Sequence, residues 1–321
     1  MKHIKKSKLI QIKQEFVNLN NTFLKLGVSV NDLEDECFKN PTKLLQKSSN
    51  YFWCFLPILF TFICILYQIN LYNNLLNYFA GVRCIIPNNY IIWEATRPIS
   101  DCNYCLNVSK PIILKNVSRN EFAPYAYTSK PVIVREAVLH WPAINIFNFT
   151  FFKNLYENTE GGYKSVDEEC QFLHFKSNFI CLRDVFSMSE SRINNDKGEK
   201  SWYVGWGNCH NQILQEMRKY YPKPHFLPED CEIPSKEYVF MGYDDGATMH
   251  LDFISRLMWQ AQLKGSKKWI LKPSPECDSI CETLSFIVNP GDAVLIDTRV
   301  WYHQTIIKPG EFSLSITSEY G

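Results

Sequence analysis

The chain has almost no net charge and no internal repeats. Its 321 residues carry 34 basic and 33 acidic side chains, which leaves a formal charge of +1. Proteins whose main partner is nucleic acid concentrate positive charge to neutralise phosphates, so this composition argues against that class. The composition is 46% hydrophobic and 15% aromatic, which supplies a sizeable core for one large domain or two small ones.

One segment lacks charge altogether. Residues 51 to 69, "YFWCFLPILFTFICILYQI", contain one side-chain amide, Gln68, and no charged side chain. Nineteen residues at about 1.5 Å each would cross a hydrocarbon core of about 30 Å. A core helix of a globular domain is the alternative. A helix with one side facing water would show polar residues at helical spacing, and this segment shows no such pattern. The sequence therefore predicts a single transmembrane helix over residues 51 to 70.

The lysines around this segment predict its orientation. Lys43 and Lys47 precede it, and no basic residue follows until Arg83. The positive-inside rule then places the N-terminus in the cytosol. A cleaved signal peptide is the alternative, although the apolar run begins later than such peptides do. We expect a type II signal-anchor protein of the endoplasmic reticulum or Golgi, with a cytosolic tail (1 to 50), a lumenal stem (71 to 110) and a lumenal domain (111 to 321).

The cysteines and sequons are compatible with a lumenal domain. Nine of the twelve cysteines follow the apolar segment, and such density favours disulfides in an oxidising compartment. Cys102-x-x-Cys105 could be half of a zinc site or a redox pair, but no second CxxC motif accompanies it. A structural disulfide or free thiols are favoured, with the pairing left open. Sequons at Asn107, Asn116 and Asn148 would make the protein a glycoprotein in the lumen.

Short β-branched and aromatic segments dominate the C-terminal part of the chain. They predict strands at 131 to 138, 201 to 206, 237 to 243, 267 to 272, 292 to 297 and 312 to 317. Helices are expected at 147 to 158 and 211 to 221. Many short strands predict a mainly β sandwich or jelly roll with flanking helices.

Two histidines and an aspartate are candidate metal ligands. If His250-x-Asp252 lies on a strand, both side chains project on one face, while Leu251 packs the other way. His303 follows a predicted turn at 290 to 292 and an apolar strand. Two imidazoles and one carboxylate suit non-haem Fe(II), because they leave adjacent positions open. A chance spacing of His250 and Asp252, and a core role for His303, are the alternatives.

A lysine on an apolar strand face is a candidate anion ligand. In "KKWILK", 267 to 272, alternation places Lys267 with Trp269 and Leu271, and Lys268 on the opposite face. A lysine that points into a barrel needs an anion, and the distal carboxylate of 2-oxoglutarate would be one. In the last strand, hydroxyls alternate with apolar side chains and could bind the same carboxylate if they face inward; they are Ser313, Ser315 and Thr317.

The order of these motifs resembles a known family. The chain is similar over 111 to 321 to the JmjC or cupin-like 2-oxoglutarate-dependent oxygenases, and small hydroxylase-like members fit best. The resemblance rests on "KPVIVREAVLHWPA" (130 to 143), His250-x-Asp252, "QLKGSKKWIL" (262 to 271) and "GDAVLIDTRVWYH" (291 to 303). It implies a double-stranded β-helix (jelly roll) with iron ligands His250, Asp252 and His303, a 2-oxoglutarate anchor at Lys267, and assisting hydroxyls at Tyr203 and Thr317.

The resemblance also implies a reaction, with departures from the family pattern. Ala247 stands where many members have a threonine that binds the cosubstrate, and Gln260 stands where some have asparagine. The expected function is an Fe(II)- and 2-oxoglutarate-dependent dioxygenase, which hydroxylates an unknown substrate, such as a lumenal protein. The alternative is a catalytically silent, membrane-tethered binding or scaffold protein. A chromatin demethylase is disfavoured by the apolar span and by the lack of a basic patch.

Overall fold

The computed structural model describes residues 14–15, 17–19, 21–23, 25–27, 57–75, 90–232, 234–243 and 246–321. The chain divides into two compact units, Met1–Arg97 and Pro98–Gly321. In the described part of the first unit, the regular elements after residue 27 are an apolar helix, Pro57–Leu75, and a short helix, Tyr90–Thr96.

The apolar helix is long enough to cross a membrane. It has 19 residues, none of its most apolar window is buried, and it is the one candidate span in the described ranges. An apolar helix of spanning length is thereby confirmed, although it runs to Leu75, five residues beyond the predicted end. Residues 51 to 56 and the basic residues that predict orientation, Lys43, Lys47 and Arg83, lie outside the described residues.

The second unit is mainly β. Its strands are β1 Ile112–Lys115, β2 Val132–Arg135, β3 Phe172–Leu173, β4 Tyr203–Asn208, β5 Glu237–Gly242, β6 Leu257–Lys264, β7 Lys267–Lys272, β8 Leu284–Val288, β9 Ala293–Ile296, β10 Tyr302–Ile307 and β11 Ser313–Tyr320. Its α-helices are α1 Arg119–Phe122, α2 Ala143–Ile146, α3 Phe149–Glu157, α4 Gly162–Glu168, α5 Leu182–Phe186, α6 Glu190–Ile193 and α7 Asn211–Met217. Two 3-10 helices, Cys102–Tyr104 and Pro275–Cys277, complete it.

The strands form two sheets. The larger is mixed and eight-stranded, in the order β1-β2-β9-β6-β11-β5-β4-β3, with β1 and β2 parallel. The smaller is antiparallel, in the order β10-β7-β8. The two sheets face each other, because Lys267 of β7 in the smaller sheet donates hydrogen bonds to side chains on β4, β6 and β11 of the larger one.

Strand alternation divides the unit into layers. On β6, Trp259 and Ala261 join a core that includes side chains of α3 and α5, while Met258 joins a second core with Trp269 and Leu271 of β7. The helices therefore cover one face of the large sheet, and the small sheet covers part of the other. This arrangement confirms the mainly β class with flanking helices.

Two glycines make turns that the strands require. Gly265, between β6 and β7, has φ +65°, and a Cβ there would lie 2.2 Å from the Phe312 carbonyl oxygen. Gly291, before β9, has φ +90°, and its Cβ would lie 2.3 Å from a Leu139 methyl carbon. Positive φ and these close approaches both need glycine. The predicted turn at 290 to 292 is therefore present, and Asp292 accepts a hydrogen bond from the Asn289 N–H at 2.9 Å.

The predicted strands are all present, but two predictions about local structure were wrong. Residues 250 to 252 do not form a strand, since His250 takes part in only an isolated bridge. The helix predicted at 211 to 221 ends at Met217. Strands β1, β3, β6, β8 and β10 were not among those predicted. Strand β6, "LMWQAQLK", lacks clear alternation because both of its faces are buried.

The compact unit begins before the boundary that we expect from the sequence. Residues 98 to 110, expected to be a stem, include Tyr104 and Cys105, which are buried in the core between the sheets. Cys102 pairs with Cys277, and Cys105 pairs with Cys281. A third disulfide joins Cys170 and Cys209. The CxxC motif thus contributes to two structural disulfides with distant partners, not to a bridge between its own two cysteines.

Candidate metal and anion site

The three candidate metal ligands lie together. One ligand atom from each of His250, Asp252 and His303 lies within 4.8 Å of the others. The Asp252 Oδ1 atom is 3.3 Å from His250 Nε2, and its Oδ2 atom is 3.6 Å from His303 Nε2. Among the described residues, this is the one group of three such side chains that could hold a metal ion.

Backbone pairing along the edge of β10 positions the group. His250 and His303 exchange two hydrogen bonds, with N···O distances of 3.1 and 2.9 Å. Further along the same edge, the Thr305 N–H donates to the Ala247 carbonyl at 3.0 Å, and the Ala247 N–H donates to the Thr305 hydroxyl at 2.9 Å. The Asp252 N–H donates to the Thr298 carbonyl at 3.0 Å. The irregular segment is therefore held against β10 without being a strand.

Backbone carbonyls select the tautomers of the two histidines. His250 Nδ1 lies 2.6 Å from the Thr248 carbonyl oxygen, and His303 Nδ1 lies 3.2 Å from the Trp301 carbonyl oxygen. A carbonyl oxygen can only accept, so each Nδ1 must carry the proton. In a neutral ring the lone pair then lies on Nε2, the atom that faces Asp252, whereas a protonated His250 donates Nε2–H to the Asp252 carboxylate.

Burial and the charges of neighbouring side chains shift the pKa values of the three residues in different directions. Burial acts to raise the pKa of Asp252, but the charge of His303 and the hydrogen bond from His250 lower it to about 2. Burial, assisted by His250, lowers the pKa of His303 to about 4. Burial acts to lower the pKa of His250 as well, but the hydrogen bond and charge of Asp252 raise it overall. At neutral pH, Asp252 is a carboxylate and His303 is a neutral imidazole.

Lys267 is buried among neutral acceptors. Its exposed fraction is 0%, and Nζ lies 2.8 Å from Ser315 Oγ, 3.1 Å from Gln260 Oε1 and 3.1 Å from the Tyr203 hydroxyl. Within the described part of the chain, Lys267 forms no ion pair with a carboxylate. Burial lowers its pKa to about 7. The predicted orientation is present, since Lys268 is exposed.

The predicted hydroxyls face inward, but only some of them reach the lysine. Ser313, Ser315 and Thr317 are all buried. Tyr203 and Ser315 contact Lys267 directly. Thr317 is linked to Lys267 through Gln260, because its hydroxyl accepts a hydrogen bond from Gln260 Nε2 at 2.7 Å. The roles of Tyr203 and Thr317 in cosubstrate binding stay predictions.

The metal group and Lys267 share one face of the small sheet. His303 lies opposite Leu271, and Ile307 lies opposite Lys267. The two levels are therefore separated by four residues along the strands, or about 13 Å. The Trp269 ring stacks against His303 at a centroid distance of 5.8 Å. A cationic position and a candidate metal position thus lie at different levels between the same two sheets.

The sequence prediction missed Thr305 as part of the site, and it named Gln260 only as a departure from the asparagine of some family members. Gln260 contacts Lys267, and the Thr305 hydroxyl binds the backbone next to the candidate ligands. The available signal for Gln260 was a pair of amides, Gln260 and Gln262, in an otherwise apolar segment, which indicates inward polar groups that need partners. No local pattern distinguishes Thr305.

Comparisons of the chain with protein-family models and with curated protein sequences gave no match.

Proposed function

We propose that the chain is a membrane-anchored Fe(II)- and 2-oxoglutarate-dependent oxygenase of the JmjC or cupin-like type, which hydroxylates a substrate in the secretory lumen or outside the cell. One observation carries this proposal. His250, Asp252 and His303 converge at one level between the two sheets, and a buried lysine, which has no carboxylate partner among the described residues, lies at another level of the same face.

The donor set fits Fe(II). Two imidazole nitrogens and one carboxylate leave adjacent coordination positions open for a bidentate ligand and oxygen. The carbonyls of Thr248 and Trp301 orient the rings so that Nε2 is the free atom of each. Such outer contacts are typical of metal-ligating histidines. A satisfied core histidine would not need a second imidazole and a carboxylate within 4.8 Å.

The surroundings of Lys267 fit one carboxylate of a dicarboxylic acid. A buried ammonium is costly unless an anion compensates it, and its present partners are neutral. The terminal carbons of a five-carbon acid lie about 5 Å apart. With a polar contact of about 3 Å at one end and a metal contact of about 2 Å at the other, such an acid spans about 10 Å. That length is of the same order as the separation of about 13 Å between the backbone positions of the two levels.

The fold supports the proposed double-stranded β-helix, and the disulfides support the proposed lumenal location. The two facing sheets, with helices on the outer face of the larger one, are compatible with a double-stranded β-helix. Three disulfides within the second unit are typical of an oxidising compartment. The apolar helix Pro57–Leu75 would be the signal anchor, with the second unit lumenal.

In this proposal the residues have separate tasks. His250, Asp252 and His303 would hold the iron, and Lys267 would bind the distal carboxylate of 2-oxoglutarate. With dioxygen as the oxidant and 2-oxoglutarate as the two-electron reductant, the bound iron would support transfer of one oxygen atom of O2 to a substrate C–H bond and of the other to succinate, with release of carbon dioxide. The chain fixes the distance and orientation between these groups, which is the contribution that a rigid site makes to the rate.

The direct test is succinate formation. Full-length protein in detergent, given Fe(II), oxygen and labelled 2-oxoglutarate, should release labelled succinate and carbon dioxide. Asp252→Ala should remove both bound iron and turnover, because two imidazoles alone do not complete the facial set. Glu319→Gln is the matched control, since Glu319 is a partly buried acid near Asp252 that is not in the group.

The scaffold alternative makes the opposite prediction. A silent binding protein would contain no iron after anaerobic purification, and Asp252→Ala would match the parent in metal content. Equal iron content in the parent and in Asp252→Ala would contradict the oxygenase proposal, as would iron binding without any succinate release.

A further inference from the structure

The ammonium of Lys267 already has a full set of hydrogen-bond partners. A lysine ammonium has three N–H donors. Within the described residues, Lys267 has three polar partners, Tyr203, Gln260 and Ser315, at 2.8 to 3.1 Å. All four residues are buried. A carboxylate that approaches Lys267 must therefore take the place of one of these acceptors.

The three acceptors differ in how far their side chains can move away from Lys267. Ser315 is a short side chain on β11, a strand paired on both sides, so its oxygen cannot move far from Lys267. The Tyr203 ring packs against Phe175 at a centroid distance of 5.1 Å, which holds its hydroxyl in position. Gln260 has three rotatable side-chain bonds, and apart from its contact with Lys267 its side chain forms one hydrogen bond to the described part of the chain, from Nε2 to Thr317.

The hydrogen bonds also determine how the Gln260 amide is oriented. Lys267 can only donate, so the atom that faces it must be the carbonyl oxygen Oε1. Nε2 then donates to Thr317 Oγ1 at 2.7 Å. The amide thus presents to Lys267 a planar group with one acceptor oxygen, similar in shape to a carboxylate but without its charge.

We propose that the Gln260 amide occupies the position on Lys267 that the carboxylate of a ligand takes, so that acid binding is an exchange in which Gln260 leaves Lys267. The inference rests on the proposed function for the identity of the acid, 2-oxoglutarate. The exchange replaces a contact between the ammonium and a neutral amide oxygen with an ion pair, in which both partners are charged and the attraction is stronger. Gln260 therefore opposes weak or neutral ligands and selects for acids, and Thr317 acts through Gln260 as a positioning residue.

Two substitutions at this position test the exchange in opposite directions. Gln260→Leu removes the competing acceptor and keeps an inward side chain of similar length, so 2-oxoglutarate should bind at least about threefold more tightly. Gln260→Glu places a covalently attached carboxylate on Lys267, so binding should weaken by at least about 100-fold. The measurement is calorimetric titration of 2-oxoglutarate into the full-length protein in detergent, with Mn(II) as a redox-inert metal.

The chain offers a matched control. Gln262 lies on the same strand and the same face as Gln260 and has an exposed fraction of 0%, but it donates to Ser313 and to the carbonyls of Lys264 and Gly265. Gln262→Leu should therefore leave the affinity for 2-oxoglutarate unchanged. If Gln260→Leu weakens binding relative to the parent and to Gln262→Leu, Gln260 is a ligand-binding residue and the exchange is wrong.

A second measurement separates this inference from the proposed function. If the parent binds no 2-oxoglutarate, the proposed function fails, but thermal unfolding of Gln260→Glu without ligand still tests the exchange. At pH 6 Lys267 is charged in the parent without a carboxylate partner, whereas the new carboxylate would compensate that buried charge, so the melting temperature of Gln260→Glu should exceed that of the parent by several degrees. A melting temperature equal to or below that of the parent would overturn the inference.

Discussion

Lys267 and Lys268 are consecutive residues of β7 whose side chains lie on opposite faces of the small sheet. Lys267 has an exposed fraction of 0%, and its ammonium lies 2.8 Å from the Ser315 hydroxyl on the facing sheet. Lys268 is exposed to solvent. Two residues of the same type therefore differ only in the face of the strand from which they project.

This pair gives a matched test of the anion site. Lys267→Met should weaken 2-oxoglutarate binding by about 2–5 kcal/mol, because the ligand carboxylate would be buried without its charged partner. Lys268→Met should change binding by less than about 0.5 kcal/mol. Calorimetric titration of the two variants measures the difference. Similar losses in both variants would place the anion elsewhere.

The low pKa of Lys267 predicts a pH dependence of acid binding. Burial lowers this pKa to about 7. Tyr203 is the titratable group among its polar partners, and burial raises the pKa of Tyr203, so it stays neutral. An acid binds the charged lysine, so affinity should be highest below pH 7 and fall by up to about tenfold per pH unit above it. The slope should vanish in Lys267→Met, measured by titration from pH 6 to 9.

The same shift predicts how this group affects the stability of the protein without ligand. The folded protein loses the Lys267 proton near pH 7, whereas the unfolded chain keeps it until about pH 10.4. Unfolding therefore takes up a proton between these values, and the contribution of Lys267 to the free energy of unfolding rises with pH across that window. Denaturant unfolding of the parent and of Lys267→Met at pH 7 and 9 isolates this contribution. If the contribution of Lys267 to the free energy of unfolding falls as the pH rises, Lys267 is not buried without a compensating charge in the folded protein.

The two neighbouring disulfides should contribute non-additively to stability. Cys102–Cys277 and Cys105–Cys281 close loops with sequence separations of 175 and 176 residues. While either bridge is intact, the other closes only a short ring, so removal of one pair should cost about 3 kcal/mol. Removal of both opens the long loop and should cost about 7–8 kcal/mol. Denaturant unfolding of the paired cysteine-to-alanine variants measures this, with Cys181→Ala as the control because Cys181 is unpaired. If the loss of stability on removal of both disulfides equals the sum of the two single losses within error, the two bridges do not constrain the same loop.

The proposed lumenal orientation of the second unit predicts N-linked glycans. Asn107, Asn116 and Asn148 have exposed side chains and can carry them after folding. Expression in cells should give a protein whose mass falls on treatment with an endoglycosidase, and protease added to intact microsomes should spare the second unit. An unglycosylated protein that is digested under these conditions would place this unit in the cytosol.

Local contacts determine the best control substitutions for that experiment. Asn148 caps α3, since its side-chain oxygen accepts the Phe151 N–H at 2.8 Å. Thr150→Ala removes this sequon and leaves the cap intact. Ser118 caps α1 in a capping box with Glu121, so the preceding sequon is better removed by Asn116→Gln. Each variant should lose the mass of one glycan. Thr150→Ala should do so without loss of stability, whereas Asn116→Gln should cost some stability, because Asn116 has φ +50° and asparagine tolerates this conformation better than glutamine.

The predictable parts of this protein are those that depend on local sequence. The apolar segment predicted a helix of spanning length, and Pro57–Leu75 is such a helix. Strict alternation in β7 predicted that Lys267 faces inward, because successive side chains of a strand must point to opposite faces. His250, Asp252 and His303, named as candidate ligands from their residue types together with the family resemblance, lie together in a group that could hold a metal ion. Each of these features depends on neighbouring residues or on the chemistry of a side chain.

Only the tertiary structure decided which distant residues meet. The strand predicted around His250 is an irregular segment, because hydrogen bonds to β10 hold it in place without a regular ladder. The cysteines of the CxxC motif pair with Cys277 and Cys281, a choice that depends on how two remote loops pack. Ser315 reaches Lys267, 48 residues away along the chain, because the two sheets face each other across a buried interior. Such contacts leave no periodic trace in the sequence, since they are determined by the packing of elements that lie far apart along the chain.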